Sequence, residues 1–324
     1  MKMMIPTGRA LTCALVALAA AAAYGQSYPA KSVRLVVPYA PGGIVDYVGR
    51  VMGQRLSDAF GQNVVIDNRP GAGGIIGIET ASKASGDGYT LLIMDPAIII
   101  NPSLLARVPY DINKDLIPVT ILSSSPLVLA INARVAANSV QDLVSLARSQ
   151  PGKLSFASAG VGTTPHMAGE LFKTRIQQNL VHVPYKGSGP AMTDLIAGQV
   201  QMTFSSITAA LPFLKDGRLR GLATTGGKRA AALSSLPTIA ESGFPGFEVN
   251  LWLAIFVPAA TPRDVVARLN AELRKTLQHP DVKSGFEKVG AESVGNTPSE
   301  TAVFVKNEFR KWAEVIKAAN IKAD

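Results

Sequence analysis

The sequence predicts an α/β chain folded as two βαβ lobes, and three observations carry that expectation. Short β-branched runs alternate with stretches of helical spacing along the chain. The length exceeds what one hydrophobic core usually organises. Glycine-rich segments stand repeatedly where a strand hands over to a helix.

The N-terminus comes first. Lys2 and Arg9 give a positive region, and Ala10 to Ala23 is a charge-free run of 14 residues. Ala23-Tyr24-Gly25 places small residues where a signal peptidase reads. Residues 1–25 therefore read as a secretory signal peptide, too short in its apolar run to span a bilayer. The sole cysteine, Cys13, falls inside that run. Removing 25 of 324 residues leaves a mature chain of 299 that begins at Gln26 and has no cysteine, hence no disulfide and no thiolate chemistry. No later run is long and apolar enough for membrane insertion. The product is expected to be soluble and periplasmic.

The full chain carries 32 basic and 23 acidic residues, and loss of Lys2 and Arg9 leaves a net +7. The basic residues are scattered and aromatics are only 6% of the chain. A nucleic-acid surface concentrates charge on one stripe beside stacking aromatics, so that partner class is not expected. A mild positive balance suits a small anionic ligand.

Strands are expected at Val33–Val37, Asn63–Ile66, Thr90–Ile93, Leu127–Ala130 and Val181–Val183, nearly all apolar and read as parallel and buried on both faces. Val45, Val48, Met52, Leu56 and Phe60 mark a helix, as do Leu143, Leu146 and Ala147, and then Val265, Val266, Leu269 and Leu273. Two lobe crossings are candidates: a Ser-rich break at Ile121–Ser125 and the apolar run Val249–Val257. They divide the mature chain into 26–124 and 250–324 for the first lobe and 125–249 for the second.

Four loops look like anion cups: Pro38–Gly43, Asn68–Gly74, Ser158–His166 and Lys186–Pro190. In the third, Thr164 is read as N-cap and Pro165 as the first helical residue. A helix start leaves amide N–H groups unpaired and partly positive. Glycine lets an oxyanion approach them, and a neighbouring hydroxyl adds a donor. Any one such loop is equally well an ordinary turn; four at strand-to-helix junctions favour a ligand site.

Enzyme signatures fail. Gly71-Ala72-Gly73 is followed by Ile76 where a dinucleotide fingerprint needs glycine, and Gly227 stands where a phosphate loop needs lysine. No serine-nucleophile elbow exists, and His166, His182 and His279 lack metal-ligand spacing. His182 reads as structural and His279 as a cap, while His166 either donates to a carboxylate or caps its helix. Asp46 either holds loop amides or receives a ligand ammonium or hydroxyl. Asp95 is either a turn former or a cleft acid. An enzyme using Asp46 and His166 as a base pair is the rival from another class, without nucleophile, metal or cofactor loop to support it. No catalytic residue, metal or cofactor is expected.

Together, several motifs give the chain a family likeness. These are Val37-Pro38-Tyr39-Ala40-Pro41-Gly42-Gly43 with Asp46 and Arg50, Asn68-Arg69-Pro70-Gly71-Ala72-Gly73-Gly74, Asp87-Gly88-Tyr89-Thr90, Gly162-Thr163-Thr164-Pro165-His166-Met167, Val183-Pro184-Tyr185-Lys186-Gly187, Pro237–Gly243 and Pro258–Pro262. In this order they resemble the Bug family of periplasmic solute-binding proteins, the TctC-type receptors of tripartite tricarboxylate transporters. The resemblance implies a type II periplasmic-binding-protein (Venus flytrap) fold, with two α/β lobes joined by a two-strand hinge. It implies ligand contacts at Tyr39, Gly42, Gly43, Asp46, Gly73 and Asp95 from one lobe. From the other it implies Ser158, Gly162, Thr163, Thr164, His166, Ser205 and Ser206. It further implies a monomer that binds a mono- or dicarboxylate, aromatic and amino-acid carboxylates included, and docks on membrane permease subunits. A ligand-sensing protein with a signalling partner is the alternative within the class.

Overall fold

The structure is a computed structural model that describes residues 28–318 and 320–322. The expected signal peptide and Cys13 lie outside the described residues. Strand β1 (Val33–Val37) runs into helix α1 (Ile44–Phe60), then β2 (Val64–Asn68), α2 (Ile75–Ser82), β3 (Thr90–Met94), α3 (Ala97–Leu104) and the short α4 (Ile112–Asp115). β4 (Leu116–Asn132) follows, then α5 (Val140–Ser149), β5 (Ser155–Ser158), α6 (Thr164–Ile176), β6 (Val181–Pro184), α7 (Ser188–Ala197), β7 (Met202–Ser206), α8 (Ile207–Lys215) and β8 (Leu219–Thr224). The chain ends with β9 (Asn250–Pro258), α9 (Arg263–Gln278), α10 (Pro280–Lys288), β10 (Glu292–Ser293) and α11 (Pro298–Ala318).

The strands form one curled sheet in the order β2-β1-β3-β9-β4-β7-β5-β6, with β8 and β10 also paired to β4. β1 pairs in parallel with β2 and β3, and β5 with β6 and β7. Each set is a βαβ crossover, whose helix packs on the strands it joins. The helical spacings read from sequence mark buried faces: Val45, Val48, Met52 and Leu56 on α1, and Val265, Val266, Leu269 and Leu273 on α9.

Three expectations need correction. First, the centre of the sheet is antiparallel: β4 pairs antiparallel with β7, β8, β9 and β10, and β9 with β3. Second, β2 and β6 are edge strands, with Val65 53% and Val181 46% exposed, because an edge has a neighbour on one side only. Third, Ile121–Ser125 is no break. It lies within the unbroken β4, whose bending is taken up by register shifts at Pro118/Thr120 and Ile121/Ser123.

β4 belongs to both halves of the sheet. Leu116 to Pro126 pair with β9, and Leu127 to Ile131 pair with β7. The return passes at Val249, whose amide donates to Thr225 O, and Asn250, which pairs with Pro126. Thr225 fastens both passages. Its hydroxyl accepts from the Leu127 amide at 2.8 Å and donates to Val249 O at 2.6 Å, and its amide donates to Leu127 O at 2.9 Å. Two strands so tied can bend together while each lobe keeps its own packing.

Candidate ligand cleft

The carboxyl ends of β1, β3, β5 and β7 converge between the two lobes. Around them lies a small cavity of about 20 Å³, lined by Tyr39, Ala40, Gly43, Ile44, Val45, Asp46 and Asp95 from one lobe. The opposite wall is Ala159, Pro165, Ser188 and Ser206, with Leu251 of β9 beside them. That volume is close to the room one water needs, so the lobes are closed on each other.

The four glycine loops meet in pairs across this cleft. The Ala40 amide donates to Lys186 O at 3.2 Å. A Cβ on Gly187 would lie 3.0 Å from Ala40 N, and one on Gly189 would lie 2.7 Å from Pro41 O. On the other side, a Cβ on Gly160 would lie 3.0 Å from Gly73 Cα, and Gly73, at φ +60°, faces Val161 O with no room for a side chain. Gly162, at φ +75°, is covered by the Asn101 carboxamide, which reaches across from α3. Main chain thus meets main chain, an approach only glycine permits.

The polar side chains divide into those spent on the protein and those left over. Asp46, 6% exposed, accepts from Arg50 Nη2 at 2.9 Å and Nε at 3.0 Å, from Asn68 Nδ2 at 3.1 Å and from the Gly42 amide at 3.4 Å. Burial opposes its charge, but the hydrogen bonds from Arg50 and Asn68 outweigh it and hold the carboxyl below the usual aspartate range. Asn68 also donates to Tyr39 O, so this network shapes the first loop. Asp95 accepts from the Tyr39 hydroxyl at 2.9 Å and the Ala97 amide at 3.0 Å. Burial pushes its carboxyl up to about 6, and the same burial, with Asp95 alongside, pushes the Tyr39 phenol well above its ordinary value.

On the facing lobe, Ser158, Thr163, Thr164, His166, Ser205 and Ser206 are all buried. The Ser158 hydroxyl lies 2.7 Å from His182 Nε2 and accepts from the Gly160 amide, and Thr163 donates to Gly160 O at 2.6 Å. His166 Nδ1 accepts from the Gly162 amide at 3.1 Å, and its ring stacks on His182 with centroids 4.1 Å apart. Burial, with His182 and Lys173 adding repulsion, lowers His166 to about 3, so it is a neutral imidazole. The helix begins one residue earlier than read from sequence: Thr163 is the N-cap of α6, and Pro165 is its second residue. Ser206 caps α8 by accepting from Ala209 N. The Thr164 Oγ1 and Ser205 Oγ hydroxyls are buried without a partner, each next in sequence to a residue of the cavity wall.

Of the residues expected at the site, Tyr39, Gly43, Asp46, Asp95 and Ser206 line the cavity. Gly42, Gly73, Ser158, Gly162, Thr163, Thr164, His166 and Ser205 belong to its loops and strand ends without facing it. Asp46 and His166 each bond to their own lobe, not to each other. Ser188, within the Lys186–Pro190 loop read as an anion cup, and Leu251, which no pattern singled out, also line the cavity. Ser188 was legible as the hydroxyl after Gly187, whereas Leu251 looks like any apolar strand residue. Asn101 was signalled by a polar residue ending the apolar run Ile98–Ile100. Trp252 is core: it is 1% exposed, donates from Nε1 to Glu308 at 3.2 Å and packs edge-on against Phe304.

A larger cavity of about 610 Å³ lies elsewhere, lined among others by Ser125, Lys228, Glu248, Asn250 and Glu292. Asn250 lines it and Leu251 lines the cleft. Successive strand residues point to opposite faces, so the two cavities flank β9 on opposite sides. Size does not decide between them. No start of a long helix is among the described residues that line the larger one, and its wall mixes three glutamates, Glu248, Glu287 and Glu292, with Lys228 and Arg229.

Comparison with known proteins agrees with this architecture. The chain matches the tripartite tricarboxylate transporter family receptor model over residues 48–321. It is 40% identical over 299 residues to the UPF0065 protein in the tcbD-tcbE intergenic region of Pseudomonas sp. (strain P51), covering 92% of this chain and 89% of the relative. Among solved structures it is similar to Rpa4515 of R. palustris with adipate, with TM-score 0.89 and 37% identity over 91% of this chain and 99% of that one. It is also similar to MatC of Rhodopseudomonas palustris with bound malate, with TM-score 0.85 and 29% identity over 89% of this chain and all of that one. The fold is the type II periplasmic solute-binding fold, with two α/β lobes on a two-strand hinge. The chain belongs to the TctC family of tripartite tricarboxylate transporter receptors.

Proposed function

We propose that this chain is a periplasmic receptor that closes its two lobes on a small organic carboxylate and delivers it to the membrane subunits of a tripartite tricarboxylate transporter. The observation that carries the reading is the pairing of four glycine-lined loops, two per lobe, across one cleft. All four lead directly into helices, α1, α2, α6 and α7, whose first amides supply donors for an anion. Adipate and malate in the related structures are carboxylates of this kind.

In this reading, residues 1–25 direct secretion, and the lobes comprise 26–124 with 250–324 and 125–249. The ligand meets Tyr39, Gly43, Asp95 and Ser206, which line the cavity, with Gly42, Thr164 and Ser205 next to that wall in sequence. Asp46, Gly73, Ser158, Gly162, Thr163 and His166 hold the loops in shape. An open form admits the ligand, and closure follows because only the closed form offers both sets of donors. The chain acts as a carrier, not as a catalyst, and among the described residues no helix is long and apolar enough to cross a membrane.

A thermal-shift screen of the mature protein against carboxylates, neutral sugars and uncharged amides tests the ligand class. Carboxylates should raise Tm and be recovered unchanged. A response confined to sugars would overturn the reading, and consumption of the ligand would overturn the carrier role.

A further inference from the structure

Asp95 differs from the other charged side chains at the cleft. It follows the last residue of β3, is 2% exposed, and lines the same cavity as Ser188 and Ser206 of the opposite lobe. Its bonds from Tyr39 and Ala97 both fall on Oδ1, and its own amide also supports the carboxylate. Among the described residues, no neighbour donates to Oδ2 and no cation pairs with either oxygen. The cavity wall holds two acids and no lysine, arginine or histidine. Arg50 neutralises Asp46, so the charge of Asp95 is left uncompensated.

A buried carboxylate without a counter-charge is costly, and a second anion beside it is costlier. Two arrangements relieve this: a positive nitrogen on the ligand, or a proton on Asp95 itself. Burial raises the Asp95 carboxyl only to about 6, and its Oδ2 is left as an acceptor in a wall without lysine, arginine or histidine, which favours the positive nitrogen. A ligand ammonium meets the charge and fills Oδ2 at once.

We propose that the ligand of this cleft is an amino-bearing carboxylate, its carboxylate at the loop amides and its ammonium on Asp95. The proposal rests on the carboxylate reading of the cleft. It makes Asp95 the residue that separates amino acids from plain mono- and dicarboxylates of the same length. Ile44, Val45, Pro165 and Leu251 give the ligand's carbon chain an apolar surround.

The test is calorimetry on the mature protein with matched pairs that differ only in the amino group: glutamate against glutarate, aspartate against succinate, 4-aminobutyrate against butyrate. Near neutral pH, at least one amino member should bind ten or more times tighter than its partner, about 1.4 kcal/mol. In Asp95→Asn, with an unchanged circular dichroism spectrum, that preference should vanish. The selectivity of the wild-type protein remains a sufficient test if the variant does not fold. Equal or tighter binding of the deaminated acids overturns the proposal and leaves the carboxylate reading standing. So does dicarboxylate binding that strengthens as pH falls through about 6, which would mark a protonated Asp95 donating to the ligand. The other ionisable groups around Asp95 do not titrate in that window: burial holds Tyr39 and Tyr110 above the usual phenol range, and hydrogen bonds hold Asp46 below the usual carboxyl range. If no carboxylate binds at all, both the proposal and the reading beneath it fall.

Discussion

The Ala40 amide and the Lys186 carbonyl oxygen, 3.2 Å apart, join the two lobes by a main-chain hydrogen bond over the mouth of the cleft. Beside it, Gly189 presses on Pro41 O so closely that a methyl group has no place. Gly189 sits in α7 at an ordinary φ, so alanine there adds bulk without backbone strain. Gly189→Ala should wedge the lobes apart. The radius of gyration in X-ray scattering should rise, and ligand affinity should drop by roughly tenfold, about 1.4 kcal/mol. Unchanged scattering and affinity would show that closure does not pass through this contact.

Asp46 organises the first loop through its bonds to Arg50, Asn68 and the Gly42 amide. Asp46→Ala leaves Arg50, Asn68 and the Gly42 amide without their acceptor. The loss should be about 1–3 kcal/mol, read from denaturant unfolding, with most of it owed to the buried hydrogen bonds. Arg50 is half exposed, so the ion pair itself counts for less. The sign with pH is set by a carboxyl held below its unfolded value. Its stabilisation is present above the ordinary carboxylate range and lost as pH falls through the folded value. The variant should lose that part of the acid sensitivity.

Two buried groups pull the stability–pH curve in opposite directions. Asp95, raised to about 6 by burial, binds a proton in the folded state that the unfolded chain has released. Its contribution is full below the ordinary carboxylate value and is lost as pH rises through about 6. His166, lowered to about 3 by burial, with His182 and Lys173 adding to it, stays neutral where an unfolded histidine is charged. Its contribution is full above the ordinary histidine value and is lost as pH falls below it. Melting curves across acid pH should therefore show a falling component that Asp95→Asn removes and a rising one that His166→Gln removes. The His166 ring signals in NMR should not titrate between about pH 8 and pH 5.

Thr225 should be a costly position to alter although it touches no ligand. Thr225→Val orphans the buried Leu127 amide and the Val249 carbonyl at the passage between lobes. A loss of about 1–3 kcal/mol is expected, with a lower Tm. Thr225→Ser keeps the hydroxyl and should recover most of it.

What was legible in the sequence was local. The run Val33–Val37 reads as a strand because nothing in it favours anything else, and α1 reads as a helix from the spacing of Val45, Val48, Met52 and Leu56. The glycine loops were visible because helix starts and positive φ leave marks within a few residues. What was hidden depends on partners distant in the chain. Serines at 123–125 read as a break, yet β9 on one side and β10 on the other hold them in one strand. The antiparallel centre is set by which strands return, and no single strand encodes it. Side-chain roles were harder still. The Thr163 hydroxyl, expected at the ligand, donates to Gly160 O three residues back, a bond no pattern announced. Ser188 and Leu251 come to one cavity from α7 and β9, elements far apart in the chain.

The glycine-to-backbone seam also bears on how such receptors diversify. Because the facing surfaces of the lobes are peptide groups, shutting the cleft fixes glycine at the points of closest approach and asks little of the side chains around them. Asp95 and Ser206 stand in the cavity wall and take no part in that main-chain contact. Changes at such wall positions alter what the cavity presents while the glycine contacts between the lobes stay as they are.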